Sequence, residues 1–168
     1  MKIHLNATIN YQKSYLIGFM ENVSFTHLFI PRNRKTIKKN EFSGREDLLS
    51  VNMPDSITVI KESAFFGCRN LNKVELSKGL KTLEAAAFMD CYELESITLP
   101  EGLESIGDSA FMKCFKLESV VIPKSVKYIG EDAFGQCQGL KHIKIPLETF
   151  VSGNAFRENY QDIDKEYY

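Results

Sequence analysis

The chain has 168 residues and a formal net charge of −1, with 43% hydrophobic and 26% charged residues. This composition excludes a disordered chain, and the near-zero charge argues against a nucleic-acid binder held by phosphate contacts. No stretch approaches the roughly 18 apolar residues of a membrane span, and the early apolar run from Tyr15 to Met20 is too short to predict a signal peptide.

A period of 23 residues runs along the chain and predicts a repeat protein. It is clearest in a single phase of the phenylalanines: Phe19, Phe42, Phe65, Phe88, Phe111 and Phe134. Degenerate repeats occupy residues 1–56, and four regular repeats occupy 57–148. Residues 149–168 form a partial repeat and a polar C-terminal tail, after a one-residue slip of the register. We therefore expect a single repeat domain over 1–168, without a linker.

Each repeat contains two local patterns. Val74-Glu75-Leu76 and its copies alternate apolar and polar residues, which predicts a short strand. Phe65, Cys68 and Leu71 recur every three residues, which favours a helical or 3₁₀ turn. Proline ends most of the strands because it cannot donate to a β-ladder. A strand and a turn cannot bury an apolar face alone, so stacked copies predict a solenoid with one continuous core.

The unit from Ile106 to Val126 reads Ile-Gly-x-x-Ala-Phe-x-x-Cys-x-x-Leu-x-x-Val-x-Ile-Pro-x-x-Val. It resembles the BspA-type (Treponema pallidum-like) class of leucine-rich repeat. The resemblance implies an α/β repeat solenoid: a horseshoe or arc with a parallel β-sheet on the concave face and short helical or 3₁₀ turns on the convex face. It also implies kinship with bacterial or protist surface proteins that attach to host extracellular-matrix proteins or to other microbes.

The four cysteines share one phase of the repeat: Cys68, Cys91, Cys114 and Cys137. In-register side chains on neighbouring strands lie about 5 Å apart in a straight column, following the strand spacing. That column suits buried free thiols better than the converging geometry of a disulfide or the tetrahedral geometry of zinc. A disulfide or a metal site is the alternative.

The three histidines, His4, His27 and His142, also share one phase, which strand alternation directs out of the sheet. His4 and His27 would be neighbours, but no obvious third metal ligand joins them. Ser119 lies one repeat from His142, yet the sequence identifies no acid that would orient this histidine. With no phosphate-binding or hydrolase motif, the sequence predicts neither an enzyme nor a bound metal or cofactor.

The same alternation predicts which side chains line the concave face of the sheet. Phe29 is the leading anchor candidate, because interface energy concentrates in aromatic and arginine side chains. The candidate protein-binding residues are His27, Phe29, Asn52, Lys73, Glu75, Thr98, Val121, His142 and Lys144.

The expected function is a non-catalytic protein-interaction module. By resemblance it is a cell-surface or secreted adhesion protein, with a host extracellular-matrix protein as one kind of ligand. The alternative is a structural spacer, or a cytoplasmic interaction scaffold without a host ligand. We expect neither nucleic-acid binding nor membrane insertion, and either a monomer or a weak dimer through an array end.

Overall fold

The computed structural model describes residues 26–159 and 162–168. These residues wind into a parallel-strand solenoid of about six turns. In chain order the strands are β1 (His27–Phe29), β2 (Thr36–Ile37), β3 (Ser50–Asn52), β4 (Val59–Ile60), β5 (Lys73–Glu75), β6 (Thr82–Leu83), β7 (Ser105–Ile106), β8 (Ser119–Val121), β9 (Tyr128–Ile129), β10 (His142–Ile145), β11 (Phe150–Val151) and β12 (Asp164–Tyr167). The predicted repeat around Phe19 and the prediction for His4 lie outside the described residues.

The strands form two parallel ladders on two sides of the solenoid. The first ladder contains the strands predicted from the alternating pattern, in two groups of three: β1-β3-β5 and β8-β10-β12. Between the groups, residues 96–98 keep Ile97 in the core but form no strand. The second ladder is continuous, in the order β2-β4-β6-β7-β9-β11. Its strands β6 and β7 pair directly, so the register between repeats continues on this side past residues 96–98.

The third side of the solenoid consists of turns, and no described residue lies in a helix. The predicted helical or 3₁₀ segments were therefore wrong. The backbone N–H groups of Cys68 and Leu71 do donate to carbonyls three residues earlier, those of Phe65 and Cys68, which accounts for the three-residue spacing. Alternate residues donate instead to carbonyls of the next repeat, namely Ser63 to Ala85, Phe65 to Ala87 and Gly67 to Met89. A helix needs its successive N–H groups for its own hydrogen bonds, so this alternation excludes one.

The core is a stack of identical layers, one from each repeat. Its centre is a column of phenylalanine rings with centroid separations of 5.1–5.8 Å, formed by Phe42, Phe65, Phe88, Phe111, Phe134 and Phe156. Four of these rings, from Phe65 to Phe134, have no exposed surface. Alanine precedes the ring in each of these repeats, since no larger side chain fits between the turn and the stack.

The last repeat follows the slipped register predicted from the sequence. Val151 pairs with Ile129, and the ring of Phe156 stacks on Phe134, each 22 residues later. The tail, whose conformation the sequence left open, ends in β12, which pairs with β10. The core-facing register positions of β12 hold Tyr167 and Lys165, and the Nζ of Lys165 lies 4.8 Å from the centre of the Phe156 ring. A charge at this position blocks further strand pairing, as in other protected sheet edges.

Candidate protein-binding face

The outward side chains of the first ladder, together with those of residues 96–98, form what we call the front face. It is the face predicted to be concave. All nine predicted binding residues are exposed on it. Strand pairing aligns His27 with Ser50 and Lys73, and Phe29 with Asn52 and Glu75. It likewise aligns His142 with Ser119 and Lys144 with Val121.

At the N-terminal end of the front face, polar groups pair with each other along the ladder. The ring nitrogen Nδ1 of His27 lies 2.7 Å from the Ser50 hydroxyl oxygen. The Asn52 amide donates to the carboxylate of Glu75, which also accepts from Lys73 Nζ at 2.9 Å. The hydrogen bond and positive charge of Lys73 lower the pKa of Glu75. Within the described residues Phe29 has no such partner, and 63% of its surface is exposed beside these pairs.

At the C-terminal end, the tail extends the front face by one strand. Asp164 Oδ2 lies 3.1 Å from His142 Nδ1, and Glu166 Oε2 lies 2.7 Å from Lys144 Nζ. The hydrogen bond from Lys144 to Glu166 raises the pKa of the lysine. Val121 lies beside Lys144 with 56% of its surface exposed. The front face therefore carries one large apolar side chain in each group of three strands.

Asp164 is the acid that the sequence did not identify as a partner of His142. Its strand follows the register slip and a segment that shows no repeat pattern, so only the folded chain brings the two together. Ser119 lies on the strand on the other side of His142. The His142 and Asp164 side chains are 65% and 73% exposed, so water surrounds this row on an open sheet. The row lacks the enclosed, preorganised surroundings on which nucleophilic catalysis depends.

Thr98 lies between the two strand groups, in the segment that forms no strand. An open groove of about 430 Å³ is lined by Glu95, Phe115, Lys116, Glu118, Gly139 and Lys141. The Phe115 ring at this groove stacks on Tyr92 at 4.8 Å. The lysines and glutamates are equal in number and pair across repeats, as Lys116 does with Glu93 and Lys141 with Glu118. The groove therefore has no strong charge preference.

The cysteines occupy the core as free, buried thiols, as predicted. Each thiol donates to the carbonyl of a phenylalanine in the preceding repeat, with Sγ–O distances of 3.0–3.3 Å. In the last repeat Asn159 takes this role, since its amide donates to the Phe134 carbonyl at 3.0 Å. Burial raises the pKa of Cys68 and Cys137 to about 12 and raises the pKa of Cys91 and Cys114 as well.

No group of three or more histidine, cysteine or acidic residues within 26–159 and 162–168 is arranged to hold a metal ion. In the same part of the chain, no helix is long and apolar enough to cross a membrane.

The sequence interpretation missed the second ladder and the side chains that it exposes. Its outward positions carry Tyr128 and Phe150, whose rings stack at 5.8 Å, and Leu147 lies three residues before Phe150. The signal was available in pairs such as Thr82-Leu83 and Tyr128-Ile129, where a β-forming residue precedes a buried aliphatic one. Two residues are too few for an alternating pattern to stand out.

Residues 35–161 match, in 6 copies, a family model described as a BspA type leucine-rich repeat region. The fold is also similar to solved structures. A leucine-rich repeat protein of T. pallidum is 28% identical, with a TM-score of 0.70 over 84% of this chain and 73% of that one. A leucine-rich repeat protein of Bacteroides ovatus is 26% identical, with a TM-score of 0.71 over 88% of this chain and 47% of that one.

A third similar structure is that of a leucine-rich cell surface protein from Faecalibacterium prausnitzii. It is 26% identical, with a TM-score of 0.58 over 84% of this chain and 32% of that one. The chain thus spans less than half the length of two of these three proteins. A comparison with curated proteins finds no match.

Proposed function

Because the chain belongs to the BspA-type leucine-rich repeat family, we propose that it is a non-catalytic module that binds a protein ligand through its front face. The observation that carries this proposal is the pair of exposed apolar side chains, Phe29 and Val121, on an otherwise polar strand surface. Neither stabilises the core, so their exposure is best explained by a partner. Solenoids generally bind through such an extended strand surface.

The neighbouring polar groups fit the rim of such an interface. Lys73, Glu75, Lys144 and Glu166 are already paired with one another, so a partner meets few unpaired charges that it must dehydrate. Ser96 and Ser119 between them are small and let a partner backbone approach the sheet. This arrangement favours apolar anchoring at two points with polar contacts around them, which is the usual anatomy of a protein interface.

We further propose a surface or secreted location and a role in adhesion, with a host extracellular-matrix protein as the ligand. The support is the family and the similar protein described as a cell surface protein. The chain itself carries no residue that specifies a matrix ligand.

The test is binding of the purified chain to immobilised fibronectin, fibrinogen and other matrix proteins. We expect saturable binding that Phe29→Ser weakens by at least about tenfold, since loss of an anchor costs 2 kcal/mol or more. Phe150→Ser is the matched control, because Phe150 is 64% exposed and Phe29 is 63% exposed, on different sides of the solenoid. Val121→Ser tests the second anchor in the same way.

The outcomes separate the parts of the proposal. If Phe29→Ser and Val121→Ser bind as tightly as the original chain, the front face is not the binding surface. If no matrix protein binds at tens of micromolar, the adhesion role fails, and a structural scaffold becomes the better account. The self-pairing of the front-face charges is consistent with that second function.

A further inference from the structure

The C-terminal end of the solenoid has two unlike halves. On the first ladder, β12 covers the end with charged side chains, including Lys165 above the last phenylalanine ring. On the second ladder, β11 is the last strand and pairs only with β9. Among the described residues, nothing pairs with its other edge. Within the described residues, the outer edge of β12 therefore carries charged side chains, whereas the outer edge of β11 is exposed and unpaired.

The outer edge of β11 has backbone hydrogen-bonding groups available to a further strand. The N–H groups of Phe150 and Ser152 donate inward to the carbonyls of Lys127 and Ile129, each at 3.0 Å. Backbone N–H groups alternate in direction along a strand, so the N–H of Val151 points to the open side. The carbonyl of Val151 points the same way, because the N–H and C=O of one residue lie on the same side of a strand, so this edge offers one donor and one acceptor.

The side chains around this edge are unusually apolar for a solvated surface. Leu147 is 75% exposed, Phe150 is 64% exposed, and Tyr128 extends the stack into the previous repeat. The equivalent outward positions in earlier repeats hold Thr36, Val59, Thr82 and Ser105. The exposed aromatic side chains of this ladder, Tyr128 and Phe150, thus lie on its last two strands.

We propose that this edge is a self-association site, at which β11 pairs antiparallel with β11 of a second copy across a two-fold axis. With Val151 on the axis, Phe150 lies opposite Ser152 of the second copy and diagonal to that copy's Phe150, a separation that aromatic side chains can span. A strand edge is self-complementary under a two-fold axis because each copy offers the same N–H and carbonyl groups. The proposal is independent of the ligand proposed for the front face.

The local charges favour a second copy at this place. Lys127 and Glu148 flank the patch, 3.4 Å apart, and are 63% and 87% exposed. Two such neutral patches do not repel each other.

The size of the patch sets the expected strength. Each large aromatic side chain can bury 150–250 Å², so three partly exposed side chains offer roughly 300–500 Å² per copy. A standard stable interface buries about 800 Å² per partner. We therefore expect a weak dimer with a dissociation constant on the order of tens of micromolar, rather than an obligate one.

Sedimentation velocity of the full chain, over a range up to about 500 µM, tests the proposal against this affinity scale. We expect the average mass to rise toward that of a dimer. Phe150→Ser and Val151→Pro should each weaken association by at least about tenfold. Proline at 151 removes the outward N–H while leaving the inward hydrogen bonds of Phe150 and Ser152 in place. Phe29→Ser, the matched control, should associate like the original chain.

Circular dichroism establishes that each variant is folded before its mass is interpreted. A chain that stays monomeric throughout the range overturns the proposal. So does dimerisation that Phe29→Ser weakens and folded Phe150→Ser and Val151→Pro variants do not, because the contact would then lie on the front face.

Discussion

Replacing Phe111 by alanine is expected to lower the free energy of unfolding by about 3–5 kcal/mol, the range for a fully buried phenylalanine. Phe111 has no exposed surface and stacks on two rings, Phe88 at 5.7 Å and Phe134 at 5.4 Å. The cavity interrupts the column of stacked rings, which passes through every regular repeat. Neighbouring turns cannot collapse into it, because their backbone hydrogen bonds fix the spacing between repeats.

The measurement is thermal and urea unfolding of the variant beside the original chain. For a chain of this length, each kcal/mol corresponds to about 2–4 °C, so a shift of roughly 6–20 °C is expected. Phe115→Ala is the matched control in the same repeat, since Phe115 is half-buried and stacks on one ring, Tyr92. Its loss should be clearly smaller. A shift of a degree or two for Phe111→Ala would show that the column is not the main stabilising element.

The layers of the core could be predicted because a repeat solves one packing problem many times. A side chain such as Phe111 or Cys114 packs against the equivalent side chains of the repeats before and after it. The same residue type is therefore needed at that position in each repeat. Strand alternation then directs Phe29 and Val121 outward, where the structure finds them exposed. A period read from six phenylalanines is a stronger signal than any local propensity.

The hydrogen bonds between repeats could not be predicted in this way. A three-residue spacing is shared by a 3₁₀ helix and by consecutive turns, and only the donors of Ser63 and Gly67 distinguish them. Both residues adopt positive φ angles, of 55° and 68°, which a regular helix excludes. Of the two residue types, only glycine commonly adopts a positive φ angle, so only Gly67 indicates this conformation in the sequence.

The partners at the C-terminal end were also beyond the sequence pattern. Asp164 and Glu166 reach His142 and Lys144 only because the chain loses one residue from the period and then forms a further strand. The repeat motif has ended by then, so no column predicts where these side chains lie. Phe150, on which the proposed self-association depends, was missed because its strand has only two residues and shows no alternating pattern.

Raising the pH from 8 to 10 is expected to destabilise the protein by on the order of 5 kcal/mol, through its four thiols. Burial raises the pKa of Cys68 and Cys137 from 9.0 to about 12 and shifts Cys91 and Cys114 in the same direction. The unfolded thiols ionise near their ordinary pKa, whereas the folded thiols remain protonated. The stability that they contribute is therefore complete below pH 9 and is lost as the pH rises from about 9 towards 12.

Each thiol loses about 1.4 kcal/mol for each pH unit above its ordinary pKa, so four thiols together approach the whole stability of a typical domain near pH 10. The measurement is urea unfolding at a series of pH values, with a phosphine reductant to prevent disulfides from forming in the unfolded chain. The double variant Cys91→Ala, Cys114→Ala retains two of the four thiols. Its absolute stability is lower, but the slope of its unfolding free energy against pH should be about half that of the original chain. An unchanged slope would mean that other groups, and not the buried thiol column, govern the alkaline transition.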